Sequence, residues 1–333
     1  WIIIIGTFIF SLIGFCMFLF SFSGYFKLEG TVFVYGMREN RLWGLYNPNT
    51  GAVLNYISGI LSLLLLKYNK KKRKFLIFNL VLQGFCFILA QSRGGWVCLF
   101  AYVIIYMLFV KKWKRDFKGI RRWLYRGVLT VLICAALYGG SEVVKTALSY
   151  APTGVAKIIY SDEEFAKKHN ELKRLDKKHK NLESMTTGRF GMWKIGLQAY
   201  KENPIMGIGY RSIDDSLKEM MDKDSYNNSS AGGLHNVYVT TLVSSGAVGF
   251  FLVFGFAVIF LKRGIMTFFR NTTKDYVRYI LIFIPVWLIG ELVESRILFG
   301  MNFLAIIFWI TAGYCMYYTK KENMDGKPDR SGV

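Results

Sequence analysis

The chain has 333 residues, of which 53% are hydrophobic and 17% aromatic, and its formal net charge is +21 at pH 7. The apolar residues form long runs that are almost free of charge, which excludes an ordinary soluble domain, because such a domain disperses them in amphipathic patterns. A basic chain can bind nucleic acid, but here most of the excess Lys and Arg lies between apolar runs, so nucleic acid is not an expected partner.

Eight apolar runs are long enough, or nearly so, to cross a membrane, because about 20 helical residues span the hydrocarbon core. Three of the eight runs, beginning at residues 51, 95 and 125, are on the short side. The runs lie at residues 1–23, 51–66, 75–91, 95–110, 125–140, 237–261, 277–293 and 297–318. The sequence therefore predicts an all-α, polytopic transmembrane helix bundle.

The connections between these runs alternate in charge. Residues 67–74 carry six cations and no acid, residues 111–126 carry eight cations and one acid, and residues 262–278 carry five cations and one acid. The tail from residue 319 carries four more cations. Lys and Arg accumulate in cytoplasmic loops, so these segments are predicted on the cytoplasmic side of a bacterial cytoplasmic membrane. The remaining connections are predicted outside and comprise residues 24–50, 91–94, 141–234 and 294–296.

Four segments follow from this topology. Residues 1–140 hold transmembrane helices 1–5, residues 141–234 form one large, partly helical extracytoplasmic loop, residues 235–318 hold helices 6–8, and residues 319–333 form a cytoplasmic tail. The chain opens at Trp1, already inside an apolar run, and we expect it to be N-terminally truncated. All five cysteines fall in the apolar runs, so no disulfide framework is predicted.

The large loop is nearly neutral, with 15 cations and 13 acids. Residues 161–183 are highly charged, which is typical of a solvated helix. Residues 187–202 predict an amphipathic helix that carries Trp193 and ends before Asn203–Pro204. A loop of this length with helices of its own is more typical of a functional element than of a linker.

His235 is the strongest candidate for chemistry among the three histidines, since His169 and His179 lie in the charged stretch. It occurs where the loop enters the sixth span, at the first turn of the predicted helix. A helix N-terminus disfavours the imidazolium form, so the ring would stay neutral and could accept a proton. The alternative interpretation is a boundary histidine that caps the helix.

Two arginines on the same predicted face are candidate phosphate ligands. Arg189 lies in the first turn of the amphipathic loop helix, where a guanidinium beside backbone N–H groups makes a phosphate site; the alternative is an ordinary loop arginine. Arg93, between two spans, is costly at the interface unless it reaches water or binds an anion.

Arg41 and Arg296 are predicted to face the same side as Arg93 and Arg189. Four arginines and one histidine at one interface suit a lipid-linked pyrophosphate. Glu291 and Glu294 support the other interpretation, in which the arginines simply form ion pairs.

Two further patterns are weak. Asp222–Lys223–Asp224 matches the D-x-D pattern by which some glycosyltransferases hold a metal, but in a loop this rich in Asp we attribute it to chance. Gly207–Ile208–Gly209 lacks the strand, helix and third glycine of a dinucleotide site and is interpreted as a turn. No metal and no cofactor are therefore expected.

Five stretches, taken in order, resemble the O-antigen ligase/polymerase superfamily of membrane glycan-assembly enzymes. No single stretch is specific, but together they bracket the large loop and cover most of the chain from about residue 40 to 260. They are R-L-W-G-L-Y-N-P-N at 41–49, S-R-G-G-W at 92–96, G-R-F-G-M-W-K-I-G-L at 188–197, N-P-I-M-G-I-G-Y at 203–210 and H-N-V-Y-V-T-T-L-V-S-S-G-A-V-G at 235–249.

The resemblance implies a metal-independent enzyme that moves a glycan from a polyprenyl-pyrophosphate carrier to a glycan or lipid acceptor. It implies that His235 is the catalytic histidine and that Arg93 and Arg189 engage the pyrophosphate. Arg41 is carried over as a further pyrophosphate ligand, whereas Arg296 has no counterpart. Family members typically carry more spans ahead of the loop than this chain does.

Three activities remain open at this point. A polymerase would join glycan repeats on the carrier, and a ligase would transfer the finished glycan to another acceptor. A non-enzymatic transporter or scaffold could use the same arginines to hold a lipid phosphate, although the internal repeats common in transporters are not evident.

Overall fold

The computed structural model describes residues 1–28, 31–113, 117–160, 189–220, 233–270, 273–299 and 302–325. The chain divides into two compact units, Trp1–Asp176 and Lys177–Val333. Within the described residues, six helices are long and apolar enough to cross a membrane. The predicted class, an all-α polytopic membrane protein, is confirmed.

The helices of the first unit follow the predicted spans, because each apolar run is long enough to satisfy its own backbone within hydrocarbon. The longest continues nine residues past the predicted end of its span at residue 140. The helices are α1 (Ile2–Leu19), α2 (Pro48–Tyr68), α3 (Arg73–Ala90), α4 (Arg93–Ile105, continued by a π-helical turn over Tyr106–Val110), α5 (Ile120–Ser149) and α6 (Ala151–Tyr160).

Polar side chains cap two of these helices. The side chain of Asn47 accepts a hydrogen bond from the Asn49 amide at 2.9 Å at the start of α2. The Ser92 hydroxyl accepts one from the Gly95 amide at 3.1 Å at the start of α4. Each cap satisfies an amide that has no partner within its helix. The second cap fixes the corner at which Arg93 begins α4.

The first unit contains a small antiparallel sheet that the sequence analysis did not predict. Its last two strands are joined at Glu39 and Asn40, which both have positive φ, 53° and 56°. Two such residues form the tight hairpin turn whose twist matches that of paired strands. The strands, in the order β1-β2-β3, are β1 (Gly24–Leu28), β2 (Thr31–Arg38) and β3 (Arg41–Gly44).

A row of buried polar side chains joins α1, α2 and α3. The Ser11 hydroxyl lies 2.9 Å from Oε1 of Gln83, and Nε2 of Gln83 donates to Oδ1 of Asn79 at 2.9 Å. Nδ2 of Asn79 in turn donates to the hydroxyls of Ser58 and Ser62. Polar groups inside a helix bundle need such partners because hydrocarbon offers none.

Two elements of the second unit differ from the spans that its apolar runs predicted. The predicted span at 277–293 is two short helices that end at Gly290, and the span predicted to begin at residue 297 begins as a helix at Phe303. The connection therefore lengthens to residues 291–302. The helices are α7 (Arg189–Tyr200), α8 (Tyr210–Met220), α9 (Val237–Phe268), α10 (Asp275–Leu281), α11 (Phe283–Gly290) and α12 (Phe303–Asp325).

The two loop helices pack on the first half of α9. The buried residues Met192 of α7, Ile213 and Leu217 of α8, Leu234, and Val243 of α9 form one apolar cluster. Ile213 and Leu217 are spaced by four residues and so lie on one face of α8. This packing attaches the helix that begins at Arg189 to the start of the membrane span.

Helix α9 is interrupted at Gly246, where φ is 64° and ψ is −167°. The segment after α7 fills the gap. The Ile208 amide donates to the Val243 carbonyl at 3.0 Å, and the Ala247 amide donates to the Pro204 carbonyl at 2.9 Å. Non-helical backbone within a membrane span is tolerated only where such partners satisfy it. The predicted turn at Gly207–Ile208–Gly209 thus packs against the break in α9 and supplies hydrogen bonds there.

Candidate active site

His235 lies one residue before the cap of α9. The cap is Asn236, whose side chain accepts a hydrogen bond from the Tyr238 amide at 2.9 Å. The alternative of a capping histidine is therefore wrong. On the other side, the carbonyl of Leu234 accepts a hydrogen bond from Nε1 of Trp193 at 2.7 Å. His235 is thus held between two fixed neighbours and outside the helical turn in which it was predicted.

The backbone of His235 has a positive φ of 47°, a conformation that costs a non-glycine residue on the order of 1–3 kcal/mol and persists only where its surroundings impose it. Here the connection 291–302 imposes it. The Val237 amide donates to the Glu291 carbonyl at 3.0 Å, and Nδ2 of Asn236 donates to the Leu292 carbonyl at 3.0 Å. The start of α9 is therefore attached by hydrogen bonds to the first residues of this connection.

Glu294 joins the predicted site residues of the second unit. Its Oε1 lies 3.0 Å from Nη2 of Arg189, and its Oε2 lies 3.2 Å from Nδ1 of His235. Nη2 of Arg296 lies 3.6 Å from the same Oε1. The side chains of Glu294, His235 and Arg189 are 12%, 19% and 21% exposed. The structure thus brings Arg189 and His235 together through one carboxylate, in a cluster that is still partly open.

Burial disfavours the charged form of the Glu294 carboxyl, but its hydrogen bond with His235 and the charges of Arg296, His235 and Arg189 outweigh this effect. Together they lower its pKa to about 2. The carboxylate is therefore ionised at neutral pH and places one negative charge between two guanidinium groups. The cluster keeps an excess of positive charge, which an anionic ligand would neutralise.

Glu291, the first residue of the connection after α11, is fully buried and binds later residues of the same connection. Its Oε2 accepts hydrogen bonds from the Arg296 and Ile297 amides at 2.8 Å and 3.3 Å. The Arg296 carbonyl accepts one from Nδ2 of Asn302 at 2.7 Å. Arg296 is only 7% exposed, so it adds charge beside Glu294 from within the protein. The expectation that Glu291 and Glu294 pair with arginines describes Glu294 well but omits its contact with His235.

Arg189 begins α7, as its position in the predicted amphipathic helix implied. Its ion pair with Glu294 distinguishes it from a freely solvated loop arginine. Phe190 packs edge-on against Trp193, with ring centroids 5.1 Å apart. Trp193 in turn donates a hydrogen bond to the carbonyl of Leu234, the residue before His235. The first two residues of the predicted helix, 187 and 188, lie outside the described residues.

Arg41 and Arg93 belong to the first unit. Nε of Arg41 donates to the Ala90 carbonyl at 3.0 Å, and its Nη2 donates to Oδ1 of Asn49 at 2.9 Å. The Ser92 hydroxyl also donates to Oδ1 of Asn49, at 3.0 Å. Arg41 therefore links β3, the start of α2 and the end of α3. Arg93 is the first residue of α4 and is exposed.

Within the described parts of the chain, no group of three or more His, Cys, Asp or Glu side chains is placed to hold a metal ion. The D-x-D stretch at 222–224 lies outside those parts, as do His169 and His179.

Comparison with known protein families gives one family match. Residues 78–254 match the O-antigen ligase family (Wzy_C) over more than half of the 333 residues. The chain belongs to the O-antigen ligase family. The predicted family is confirmed, and four of the five stretches, all but the one at 41–49, lie within the matched residues. The matched residues include Arg93, Arg189 and His235, whereas Arg41 and Glu294 lie outside them.

Two curated proteins are similar to this O-antigen ligase family member. An uncharacterised protein of Haemophilus influenzae is 27% identical over 207 residues, which are 61% of this chain and 46% of that protein. The exopolysaccharide production protein ExoQ of Rhizobium meliloti is 32% identical over 75 residues, 21% of this chain and 17% of that protein. The chain thus matches less than half the length of these relatives. No solved structure matches it.

Glu294 is the site residue whose role the sequence analysis missed. Its signal was present, since E-L-V-E-S-R places two acids directly after an apolar run, and a buried acid near a membrane needs a partner. Sequence position alone could not select His235 as that partner.

Proposed function

We propose that this O-antigen ligase family member is a glycosyltransferase of the extracytoplasmic face of the bacterial cytoplasmic membrane. It would move a glycan from polyprenyl pyrophosphate to an acceptor hydroxyl during cell-surface polysaccharide assembly. The observation that carries the proposal is the meeting of His235 and Arg189 at Glu294 in one partly open cluster. Such a cluster places a proton acceptor beside an anion-binding group.

In the proposed reaction, the acceptor oxygen attacks the anomeric carbon of the donor sugar in a single displacement with inversion. The bond between that carbon and the acceptor oxygen forms while the bond to the pyrophosphate oxygen breaks, and the electron pair leaves with the pyrophosphate. The acceptor proton passes to His235, which acts as general base. The products are the glycosylated acceptor, free polyprenyl pyrophosphate and protonated His235.

The leaving pyrophosphate gains negative charge, and fixed guanidinium groups stabilise it electrostatically. Arg189 suits this role because a guanidinium has five N–H donors, of which its ion pair with Glu294 uses only part. Arg93 is the proposed pyrophosphate ligand of the first unit, since it is exposed at a helix start. Arg41, already bonded to Ala90 and Asn49, would support that ligand.

The charge pattern and the relatives add support. Cationic connections at 67–74 and 111–126 favour an extracytoplasmic position for the loop that holds Arg189. ExoQ, with which the chain shares 75 aligned residues, is by its printed name an exopolysaccharide production protein. A role in polysaccharide assembly therefore agrees with both the topology and the family.

The proposal is tested with purified protein in lipid vesicles and an oligosaccharide linked to polyprenyl pyrophosphate. We expect His235→Gln and Arg189→Gln to abolish or strongly reduce transfer. Arg211→Gln, which removes an exposed arginine of α8, is the matched control and should transfer at the wild-type rate. Wild-type turnover by His235→Gln would contradict the assignment of the base.

The products of the same assay separate the open activities. Longer chains that remain on the carrier indicate a polymerase, and transfer of the glycan off the carrier indicates a ligase. Binding of the lipid pyrophosphate without any transfer would replace the proposal with a lipid-phosphate transporter or scaffold. Loss of activity with a metal chelator would contradict the metal-independent reaction, and retention of the anomeric configuration would contradict the single displacement.

A further inference from the structure

We infer that Glu294 is a positioning residue that selects the tautomer of His235 in which Nε2 is the proton acceptor. This inference rests on the proposed function, in which His235 is the base, and it specifies which ring nitrogen reacts and what holds it. Glu294 itself would not contact the substrate, because its two oxygens face Arg189 and His235.

The geometry determines which atom carries the proton. An ionised carboxylate can only accept hydrogen bonds, so Nδ1 of His235, 3.2 Å from Oε2 of Glu294, must be the donor. In a neutral imidazole the other nitrogen is then unprotonated. Nε2 therefore carries the lone pair that takes the acceptor proton.

The backbones of both partners, His235 and Glu294, are held close together by hydrogen bonds at the start of α9. The Val237 amide donates to the carbonyl of Glu294 at 3.2 Å as well as to that of Glu291, and Trp193 holds the residue before His235. These bonds fix the backbones from which the ring and the carboxylate extend, which favours the observed contact between the two side chains.

A carboxylate at this position would also act during the reaction. When His235 takes up the acceptor proton it becomes an imidazolium, and Glu294 then lies within hydrogen-bond distance of a positive charge. A buried carboxylate that orients a catalytic histidine and stabilises its charged form is a recurring arrangement in enzymes.

Replacement of Glu294 by glutamine is expected to change the tautomer of His235. Arg189 can only donate hydrogen bonds, so the single side-chain oxygen of the introduced glutamine would turn towards Arg189. The amide nitrogen would then donate to Nδ1 of His235, which would move the ring proton to Nε2. The variant should keep its fold and its ring position but hold the wrong tautomer.

The tautomer is measured directly by ¹⁵N NMR of protein labelled at histidine, at a pH where the ring is neutral. The chain has only three histidines, so His235 is assigned by comparison with His235→Gln. We expect protonated Nδ1 and unprotonated Nε2 in the wild type, and the reverse in Glu294→Gln. Protonated Nε2 in the wild type would overturn the inference, whether or not the variant folds.

Activity provides the second measurement. We expect Glu294→Gln to lower kcat by at least about 100-fold, in the range seen when general-base catalysis is lost, with a smaller change in KM for the lipid donor. Glu294→Asp, which keeps two carboxylate oxygens, should retain more of both the tautomer and kcat. Asp215→Asn, which removes an exposed carboxylate of α8, is the control and should match the wild type.

The two proposals fail in different ways. Wild-type transfer by His235→Gln would overturn the proposed function while the Nδ1–H tautomer could still be observed. Inactive His235→Gln together with a fully active Glu294→Gln that keeps the wild-type tautomer would overturn the role of Glu294 alone.

Discussion

The backbone of Gly207 lies against the break in α9 at Gly246, so closely that a Cβ atom on Gly207 would lie 2.5 Å from the Gly246 amide nitrogen. Both glycines have positive φ, 76° and 64°, which residues with a side chain rarely adopt. Gly207 follows the helix of Arg189, and Gly246 lies in the helix that begins beside His235. This joint therefore helps to hold together the elements of the candidate site.

We expect Gly207→Ala to destabilise the second unit. The added Cβ would meet the backbone of Ser244 and Gly246 at 2.5 Å, and the strained φ adds a cost on the order of 1–3 kcal/mol. The midpoint of thermal unfolding in detergent should fall. Gly191→Ala is the control, since a Cβ there meets nothing within 4 Å and alanine favours a helix. Equal midpoints for the two variants would contradict the prediction.

We expect Trp193→Phe to weaken the start of α9. The change removes the hydrogen bond from Nε1 to the Leu234 carbonyl at 2.7 Å, and an unsatisfied buried carbonyl costs about 1–3 kcal/mol. Both the thermal midpoint and the rate of glycan transfer should fall, because Leu234 precedes His235. Trp123→Phe, at an exposed tryptophan of the first unit, serves as the control. A Trp193→Phe protein that behaves like this control would rule out the proposed support.

We expect Arg41 and Arg93 to respond differently to replacement by glutamine. Arg41→Gln loses the hydrogen bonds to Ala90 and Asn49 and should lower the thermal midpoint. Arg93→Gln changes an exposed side chain and should lower the thermal midpoint less than Arg41→Gln does, while KM for the lipid donor should rise. The prediction fails if Arg93→Gln is the less stable variant of the two.

We expect the stabilising effect of the Glu294 carboxylate to decline in acid. Its pKa is lowered from 4.5 to about 2 in the folded protein, so between these values the unfolded chain binds more protons than the folded one. The effect is therefore fully present above about pH 5 and is lost as pH falls towards 2. Thermal midpoints of wild type and Glu294→Gln, measured from pH 7 to 3, should converge. The charged groups that face this carboxylate are Arg189, Arg296 and His235. A difference in thermal midpoint between the two proteins that stays constant over this pH range would contradict the prediction.

Much of the fold could be predicted from the sequence, since helix formation in a membrane depends on local hydrophobicity. The elements that differed depend on contacts. The seventh predicted span ends at Gly290 because Glu291 accepts hydrogen bonds from amides later in the same connection. The strand β3 is paired with β2 through a turn at Glu39 and Asn40. The sequence there shows no regular alternation of apolar residues that would predict a strand.

The candidate site was partly predictable for a similar reason. His235 and Arg189 stand out by residue type, by their place at element boundaries and by the family resemblance. Glu294 was recognised only as a possible partner of an arginine. Its contact with the Nδ1 atom of His235 depends on how the connection 291–302 folds.

By itself, the sequence determined that this chain crosses a membrane and belongs to the O-antigen ligase family, because long apolar runs and ordered motifs are properties of the linear chain. Only the tertiary structure decided that Glu294 lies between Arg189, 105 residues away, and His235, 59 residues away. The physical reason is that such contacts depend on the break at Gly246 and on the backbone hydrogen bonds around Glu291. These place distant residues within about 3 Å of one another.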